Sequence, residues 1–143
     1  MIDAKTGEAI YSKQNQKKWF PASLTKIVTA MILIDSVKPG TMLTASKQAV
    51  KQDASNPYFL LKVGERMSRD DALKALLVMS CNDVATMIAE HIAGSEAKFS
   101  VLMNKKAKEI GVSNSHFVTP NGLHNPAHYT TASDMALLTR PHI

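Results

Sequence analysis

The longest apolar run of the chain covers residues 27–34 and is interrupted only by Thr29. Its apolar positions occupy nearly the whole circumference of a helix, so the pattern predicts a helix over residues 24–37 that is buried at the centre of a domain. Lys38-Pro39-Gly40 ends this helix. The run is too short to cross a bilayer.

A second helix is predicted after residue 68. Ser68-Arg69-Asp70-Asp71 fits a capping box with Asp in place of Glu. Leucines at positions 73, 76 and 77 then form one apolar helical face. The helix should end near Ser80-Cys81-Asn82, because such residues compete for backbone hydrogen bonds.

Three more helices complete the pattern. One covers residues 83–93 and ends at Gly94, and the next begins at Ser95 and ends at Gly111. Residues 112–131 have the composition of a loop, after which Thr131 or Ser133 caps a last helix that reaches Leu138. The apolar face of the fourth helix consists of Phe99, Leu102, Met103 and Ile110.

The N-terminal residues favour a hairpin. Residues 1–4 and 8–11 flank Lys5-Thr6-Gly7, where Asp3 can bond the turn backbone and Gly7 can adopt positive φ. Residues 41–66 are the least regular part, with a short helix or turns near 46–50 and a loop through Asn56-Pro57. The fold class is therefore α+β, with helices predominating.

Composition supports a single globular domain. The chain has 143 residues, of which 45% are hydrophobic and 20% charged, which is enough for one proper core. The net charge of +5 comes from scattered lysines, and nucleic-acid binding would require clustered arginines and interleaved aromatics. A single cysteine, Cys81, excludes an internal disulfide. No basic-then-apolar signal opens the chain, so the protein is either cytosolic or has lost a targeting segment, and we favour the loss.

Candidate chemistry begins with Ser23 and Lys26, three residues apart at the start of the buried helix. Both side chains project from one helix face. Burial can lower the pKa of a lysine until its amine accepts the serine proton, which makes the hydroxyl nucleophilic. Ser95 and Lys98 have the same spacing on an amphipathic helix, where a cap and an exposed lysine are the better interpretation. Spacing alone leaves Ser23 and Lys26 open between a catalytic pair and a helix start.

Ser80 and Asn82 form a second candidate set, at a break between two helices. Both side chains can point into one cleft, where a hydroxyl relays a proton and an amide binds a substrate carbonyl. A helix end followed by a cap is the alternative explanation. That alternative weakens because Ser23 and Lys26 lie upstream and a helical bundle would bring the two sets together.

Three long stretches of the chain, residues 1–32, 61–94 and 117–140, resemble the D-alanyl-D-alanine carboxypeptidases, which are low-molecular-mass penicillin-binding proteins. The resemblance implies the fold of the DD-peptidases and serine β-lactamases, in which a helical cluster packs on an antiparallel sheet with the active site between them. We expect residues 1–143 to form a partial catalytic domain that is mainly helical with an N-terminal hairpin.

The resemblance also implies roles for four residues. Ser23 matches the acylated nucleophile, Lys26 the general base, Ser80 the proton-relaying hydroxyl, and Asn82 the amide that holds the peptide. Cys81 occupies the variable middle position of the Ser-Cys-Asn tripeptide. A cysteine nucleophile is disfavoured because no histidine lies nearby in sequence to activate it.

A third family motif, Lys-Thr-Gly, follows the other two motifs in these enzymes. Lys5-Thr6-Gly7 precedes them, so its match is coincidental and carries no catalytic role. No other Lys-Thr-Gly or Lys-Ser-Gly occurs up to Ile143. We therefore expect a catalytic domain cut short at both ends, without the C-terminal strands that carry the third motif.

The implied reaction removes the terminal D-alanine from peptidoglycan stem peptides ending in D-Ala-D-Ala, through an acyl-enzyme and without cofactor or metal. β-Lactam antibiotics are the second expected partner, and the expected location is extracytoplasmic. A DD-endopeptidase uses the same residues. A class A β-lactamase needs a downstream carboxylate, yet Asp134 is the only acidic residue after Gly111.

Two interpretations from other classes remain. A non-catalytic peptidoglycan-binding fragment would tolerate Ser23→Ala, whereas an enzyme would not. A metal site could use His124 and His128, which are spaced like ligands on one helix face. Pro126 between them argues against that helix, so we interpret both as polar loop histidines.

Overall fold

A two-stranded sheet and five helices make up the secondary structure of the computed structural model, which describes residues 1–53 and 59–140. The loop predicted through Asn56-Pro57 lies outside the described residues. Short 3₁₀ turns at Ala22–Leu24 and Ala49–Lys51 precede α1 and follow β1. The elements are α1 (Thr25–Ser36), β1 (Met42–Thr44), β2 (Arg66–Ser68), α2 (Arg69–Leu77), α3 (Asn82–Ala93), α4 (Glu96–Ile110) and α5 (Ala132–Thr139).

Helix α1 is the central element, as its apolar pattern predicts. It is buried from Thr25 and Lys26 through Leu33 except at Ile27, and it contacts each of the other four α-helices. The observed bounds differ from the predicted helix by one residue at each end. Burial of its first turns holds the N-terminal side chains of this helix in protein rather than in water.

The predicted caps are largely confirmed. Ser68 Oγ accepts a hydrogen bond from the Asp71 N–H at 3.1 Å and donates to the Asp71 carboxylate at 2.8 Å. Ser95 caps α4 through its own side-chain oxygen, and Gly94 and Gly111 end α3 and α4 with positive φ. Thr131, rather than Ser133, caps α5.

The junction between α2 and α3 differs from the prediction in detail. Helix α2 ends at Leu77, three residues before the predicted Ser80-Cys81-Asn82, and α3 already begins at Asn82. Ser80 has a left-handed φ of 58°, and the following Cys81 N–H donates to the Ala75 carbonyl at 3.2 Å. This bond turns the chain back over the end of α2, so Asn82 faces α1.

Strands β1 and β2 were not predicted. They pair antiparallel with Leu43 opposite Met67. The predicted N-terminal hairpin is present as an antiparallel bridge between Ile2 and Ala9, with Asp3 Oδ1 accepting two backbone N–H groups of its turn. The fold is thus α+β, as expected, with helices predominating.

Helix α1 separates two hydrophobic cores. One core lies between α1, α2, α3 and β1, and the other lies between α1, α3, α4 and α5. No helix in residues 1–53 or 59–140 is both long enough and apolar enough to span a membrane. The largest buried side chains of the first core are Leu33, Leu43, Leu76, Met87 and Ile88, and those of the second are Val28, Phe99, Met103, Phe117 and Leu138.

Candidate active site

The Lys26 ammonium is the centre of a polar cluster at the start of α1. Its side chain is almost completely buried, with 2% of the residue exposed. Nζ lies 3.0 Å from Ser23 Oγ, 2.7 Å from Asn82 Oδ1 and 3.0 Å from the Asn121 carbonyl oxygen. The structure therefore brings together the predicted pair, with Ser23 in the 3₁₀ turn before α1 and Lys26 in the first turn of α1, and the predicted amide on α3.

Burial sets the protonation of this lysine. Desolvation lowers the pKa of Lys26 from its ordinary 10.5 to about 8, and the neighbouring Cys81 opposes this shift only in part. At pH 7 about a tenth of the molecules therefore carry a neutral amine at this position. A neutral amine 3.0 Å from a hydroxyl can accept its proton.

Ser23 is exposed to solvent at the mouth of this cluster. The preceding residue, Ala22, has a left-handed φ of 49°, an unusual conformation for a residue other than glycine. A cavity of about 240 Å³ opens beside the hydroxyl and is lined by Phe20, Ala22, Ser23, Asn82, Asn121, Gly122, Leu123 and His124. A ligand in this cavity would reach the serine, while the lysine stays behind it.

The second predicted set lies where the sequence places it, at the start of α3. Asn82 accepts from Lys26 through Oδ1 and donates through Nδ2 to the Asp53 carbonyl at 2.7 Å. A substrate carbonyl could accept a hydrogen bond from Asn82 Nδ2 only by replacing the Asp53 carbonyl. Ser80 is half-buried, two residues before Asn82.

Cys81 is the N-cap of α3 and is buried. Desolvation, with a smaller contribution from the Asp83 carboxylate, raises the pKa of its thiol to about 11. The thiol therefore remains protonated at neutral pH, which is the opposite of what a cysteine nucleophile requires. This agrees with the expectation that Cys81 is not the nucleophile.

One part of the cluster was missed from the sequence. Residues 119–122 have only the composition of a loop, yet this segment packs against α1, where Thr29 Oγ1 donates to the Pro120 carbonyl at 2.6 Å. Gly122 has φ +84°, and a Cβ at this position would lie 1.9 Å from the Ala22 carbonyl oxygen. Only the turn signal Pro-Asn-Gly could have indicated a tight structure here.

The two loop histidines differ from each other. His124 is exposed, and its ring contacts that of Phe20 edge to face, with centroids 4.6 Å apart. His128 also lies in the predicted loop, but it is buried there, which the sequence did not indicate, and its Nε2 lies 2.8 Å from Thr25 Oγ1. In the described part of the chain, no group of three or more His, Cys, Asp or Glu side chains could hold a metal ion.

Lys5-Thr6-Gly7 forms the turn of the N-terminal hairpin and does not line the cavity beside Ser23. The carbonyl of Lys5 accepts a hydrogen bond from Arg140 at 2.6 Å, which attaches this turn to the end of α5. A cavity of about 370 Å³ beside Arg140 is lined by Ala4, Ile110, Leu137 and Arg140, none of which is a nucleophile.

Comparisons with known proteins give a consistent result. A family model described as D-alanyl-D-alanine carboxypeptidase matches residues 1–143. The D-alanyl-D-alanine carboxypeptidase DacF of Bacillus subtilis is 35% identical over 143 residues, which cover 98% of this chain and 37% of the relative. The chain thus spans little more than a third of the length of this curated relative.

Solved structures have the same fold. The crystal structure of the D-alanyl-D-alanine carboxypeptidase DacD from Francisella tularensis has a TM-score of 0.91 at 37% identity, covering 99% of this chain and 35% of that one. Penicillin-Binding Protein D2 from Listeria monocytogenes, in its ampicillin-bound form, has a TM-score of 0.83 at 28% identity, covering 97% and 57%.

Proposed function

Because the chain belongs to the D-alanyl-D-alanine carboxypeptidase family, we propose that residues 1–143 are part of a DD-peptidase catalytic domain and carry its nucleophile, Ser23, and its general base, Lys26. The observation that supports this proposal most directly is the 3.0 Å contact between Lys26 Nζ and Ser23 Oγ, made by a buried lysine whose pKa is lowered. The substrate is a peptidoglycan stem peptide that ends in D-Ala-D-Ala.

The proposed reaction is the one that the family resemblance implies, and it uses this contact. Ser23 Oγ attacks the carbonyl between the two terminal D-alanines while its proton passes to the neutral Lys26 amine. The tetrahedral intermediate collapses to an ester, and the leaving D-alanine amine takes a proton. Water then hydrolyses the ester and restores the serine. The penicillin carbonyl enters the same first step, and its acyl group stays on Ser23 because deacylation is slow.

The other two predicted residues act around this pair. Asn82 fixes the position of Lys26 through Oδ1, and its Nδ2 offers the substrate a donor once it leaves the Asp53 carbonyl. Ser80 relays the proton to the departing amine. Asp134, the only carboxylate after Gly111, bonds the Asn114 N–H and the Ser115 hydroxyl, so it is not placed to activate a deacylating water as a β-lactamase requires.

The place of action follows from the substrate. Members of this family are enzymes of the cell wall or periplasm. We propose the same extracytoplasmic location for this protein, with stem peptides and β-lactams as its ligands and with no need for a metal or organic cofactor.

The first test is the intact mass of the chain after incubation with excess benzylpenicillin. We expect a gain of one penicillin mass, and no gain for Ser23→Ala. Ser95→Ala is the matched control, because Ser95 and Lys98 repeat the spacing but Ser95 only caps α4. This control should gain mass like the wild type.

A second reagent separates two kinds of failure. A small fluorophosphonate needs an activated serine but no recognition of a β-lactam. Labelling of Ser23 by the fluorophosphonate alone would keep the nucleophile and refute β-lactam recognition. Because the chain spans little more than a third of the length of the Bacillus subtilis relative, the same assay is run on the chain extended past Ile143, and labelling of that longer chain by neither reagent would overturn the proposal. Cleavage of cross-linked peptide dimers, without release of D-alanine from a pentapeptide, would assign the chain to an endopeptidase instead.

A further inference from the structure

We propose that His128 is a positioning residue for the proposed Ser23–Lys26 pair, because its two ring nitrogens join the loop of residues 118–122 to the first turn of α1. The expected effect of His128 on the reactivity of Ser23 rests on the proposed function. Its structural basis is independent of the reaction and consists of three hydrogen bonds to one buried imidazole.

The hydrogen bonds fix the tautomer of this ring. The backbone N–H groups of Val118 and Thr119 both donate to His128 Nδ1, at 3.0 and 3.2 Å. A nitrogen that accepts cannot carry a proton, so the proton of the neutral ring is on Nε2. Nε2–H then donates to Thr25 Oγ1, 2.8 Å away. Neither nitrogen can change its role without losing a bond.

Burial keeps the ring in this neutral form. His128 is 2% exposed, and desolvation, followed by the charge of His116, lowers its pKa to about 4. The Phe117 ring packs edge to face against it, with centroids 5.6 Å apart. A ring enclosed in this way is a rigid connection between the two segments that it bonds.

Both segments lead directly to the lysine. Thr25 is the residue before Lys26, and Val118 and Thr119 lead into Asn121, whose carbonyl accepts from Lys26 Nζ at 3.0 Å. The Thr29 bond to Pro120 is a third link between the same loop and α1. The connection through His128 therefore closes a ring of bonds that keeps the Asn121 carbonyl over the amine and water away from it.

Two substitutions of His128 remove the hydrogen bonds of one ring nitrogen at a time. His128→Asn retains an acceptor near the Nδ1 position and loses the hydrogen bond to Thr25 Oγ1. His128→Gln retains a donor near the Nε2 position and loses the hydrogen bonds from the Val118 and Thr119 N–H groups. Thr25→Val removes the bond between Thr25 and His128 from the other side. His91→Asn, on the exposed side of α3, controls for the loss of a histidine.

The first readout is the titration of Lys26, followed by NMR of its side chain, which requires no activity. Cys81 is the titratable neighbour whose charge acts on this lysine, so its thiol is followed in the same series. Loss of the His128 hydrogen bonds to Thr25 or to the 118–122 loop admits water to the Lys26 amine, so the Lys26 pKa should rise by about one unit in each variant. His91→Asn should leave it unchanged.

The second readout is the rate at which the fluorophosphonate labels Ser23. A rise of about one unit removes about nine-tenths of the neutral amine at pH 7, so labelling should slow about tenfold. His128→Asn and Thr25→Val remove the same hydrogen bond, so their effects should not add. The double variant should therefore be labelled no more slowly than the slower of the two single variants.

A purely structural role gives a different result. Variants that lower the urea midpoint but leave both the Lys26 pKa and the labelling rate at the wild-type values would overturn the inference. If neither the wild type nor the chain extended past Ile143 is labelled, the proposed function fails, while the titration of Lys26 still decides the role of His128.

Discussion

Replacing Gly122 by alanine tests how closely the 119–122 loop approaches the start of α1. Two costs add at this position. A residue other than glycine pays about 1–2 kcal/mol for a left-handed φ such as +84°. The new Cβ would also lie 1.9 Å from the Ala22 carbonyl oxygen and 2.9 Å from Thr25 Oγ1. Relieving such overpacking adds about 1–3 kcal/mol, so we expect a total loss of about 2–5 kcal/mol.

The matched control is Gly94→Ala. Gly94 has nearly the same φ, +83°, and a Cβ added there would meet no atom of the described residues within 4 Å apart from those of its chain neighbours. Gly94→Ala should therefore lower the free energy of unfolding only by the conformational cost, about 1–2 kcal/mol. Urea unfolding of both variants gives the difference directly. Equal losses within about 0.5 kcal/mol would refute the close approach of the loop to Ala22.

Three further predictions concern the caps, the lysine and one ion pair. Ser68→Ala removes the acceptor of the Asp71 N–H and should cost about 1 kcal/mol in urea unfolding. Because the unfolded chain keeps the Lys26 proton up to 10.5 and the folded chain only to about 8, Lys26 should contribute a stability gain on the order of 3 kcal/mol across that pH range. The gain is measured as the difference between the wild type and Lys26→Met, because the raised pKa of the Cys81 thiol gives a change of opposite sign above pH 9 in both proteins. Lys26→Met should lack this rise. Lys106→Met removes a partly exposed 2.6 Å bridge to Asp35 and should cost less than about 1 kcal/mol, and less still in high salt.

The helices could be predicted from sequence because their signals are local. Ser68, Ser95 and Thr131 each sit directly before a helix whose first N–H groups they bond, so the cap and its target lie within three residues. Strands β1 and β2 have three residues each and only one fully buried side chain, Leu43. Alternation over three residues cannot be distinguished from a turn, so both strands escaped prediction.

The site could be predicted only in part, for a related reason. Ser23 and Lys26 reveal their proximity through helical spacing, and Asn82 follows from its place at a helix start. The third acceptor of Lys26 is a backbone carbonyl, which any residue at position 121 would supply. The burial of His128 depends on a contact with Thr25 across 103 positions, and no local pattern encodes it.

The separation of these contacting residues along the sequence also determines when the site forms during synthesis of the chain. The bonds that bury Lys26 and its neighbours join α1 to Asn82, Pro120, Asn121 and His128, across separations of 56 to 103 residues. Long-range contacts form only after the loop-closure entropy between them has been overcome. Until residue 128 is available to pack, the Lys26 amine is solvated, remains fully protonated and cannot accept the Ser23 proton. The proposed nucleophile Ser23 would therefore be inert in nascent chains, and its proposed reactivity toward acylating agents would arise late in folding.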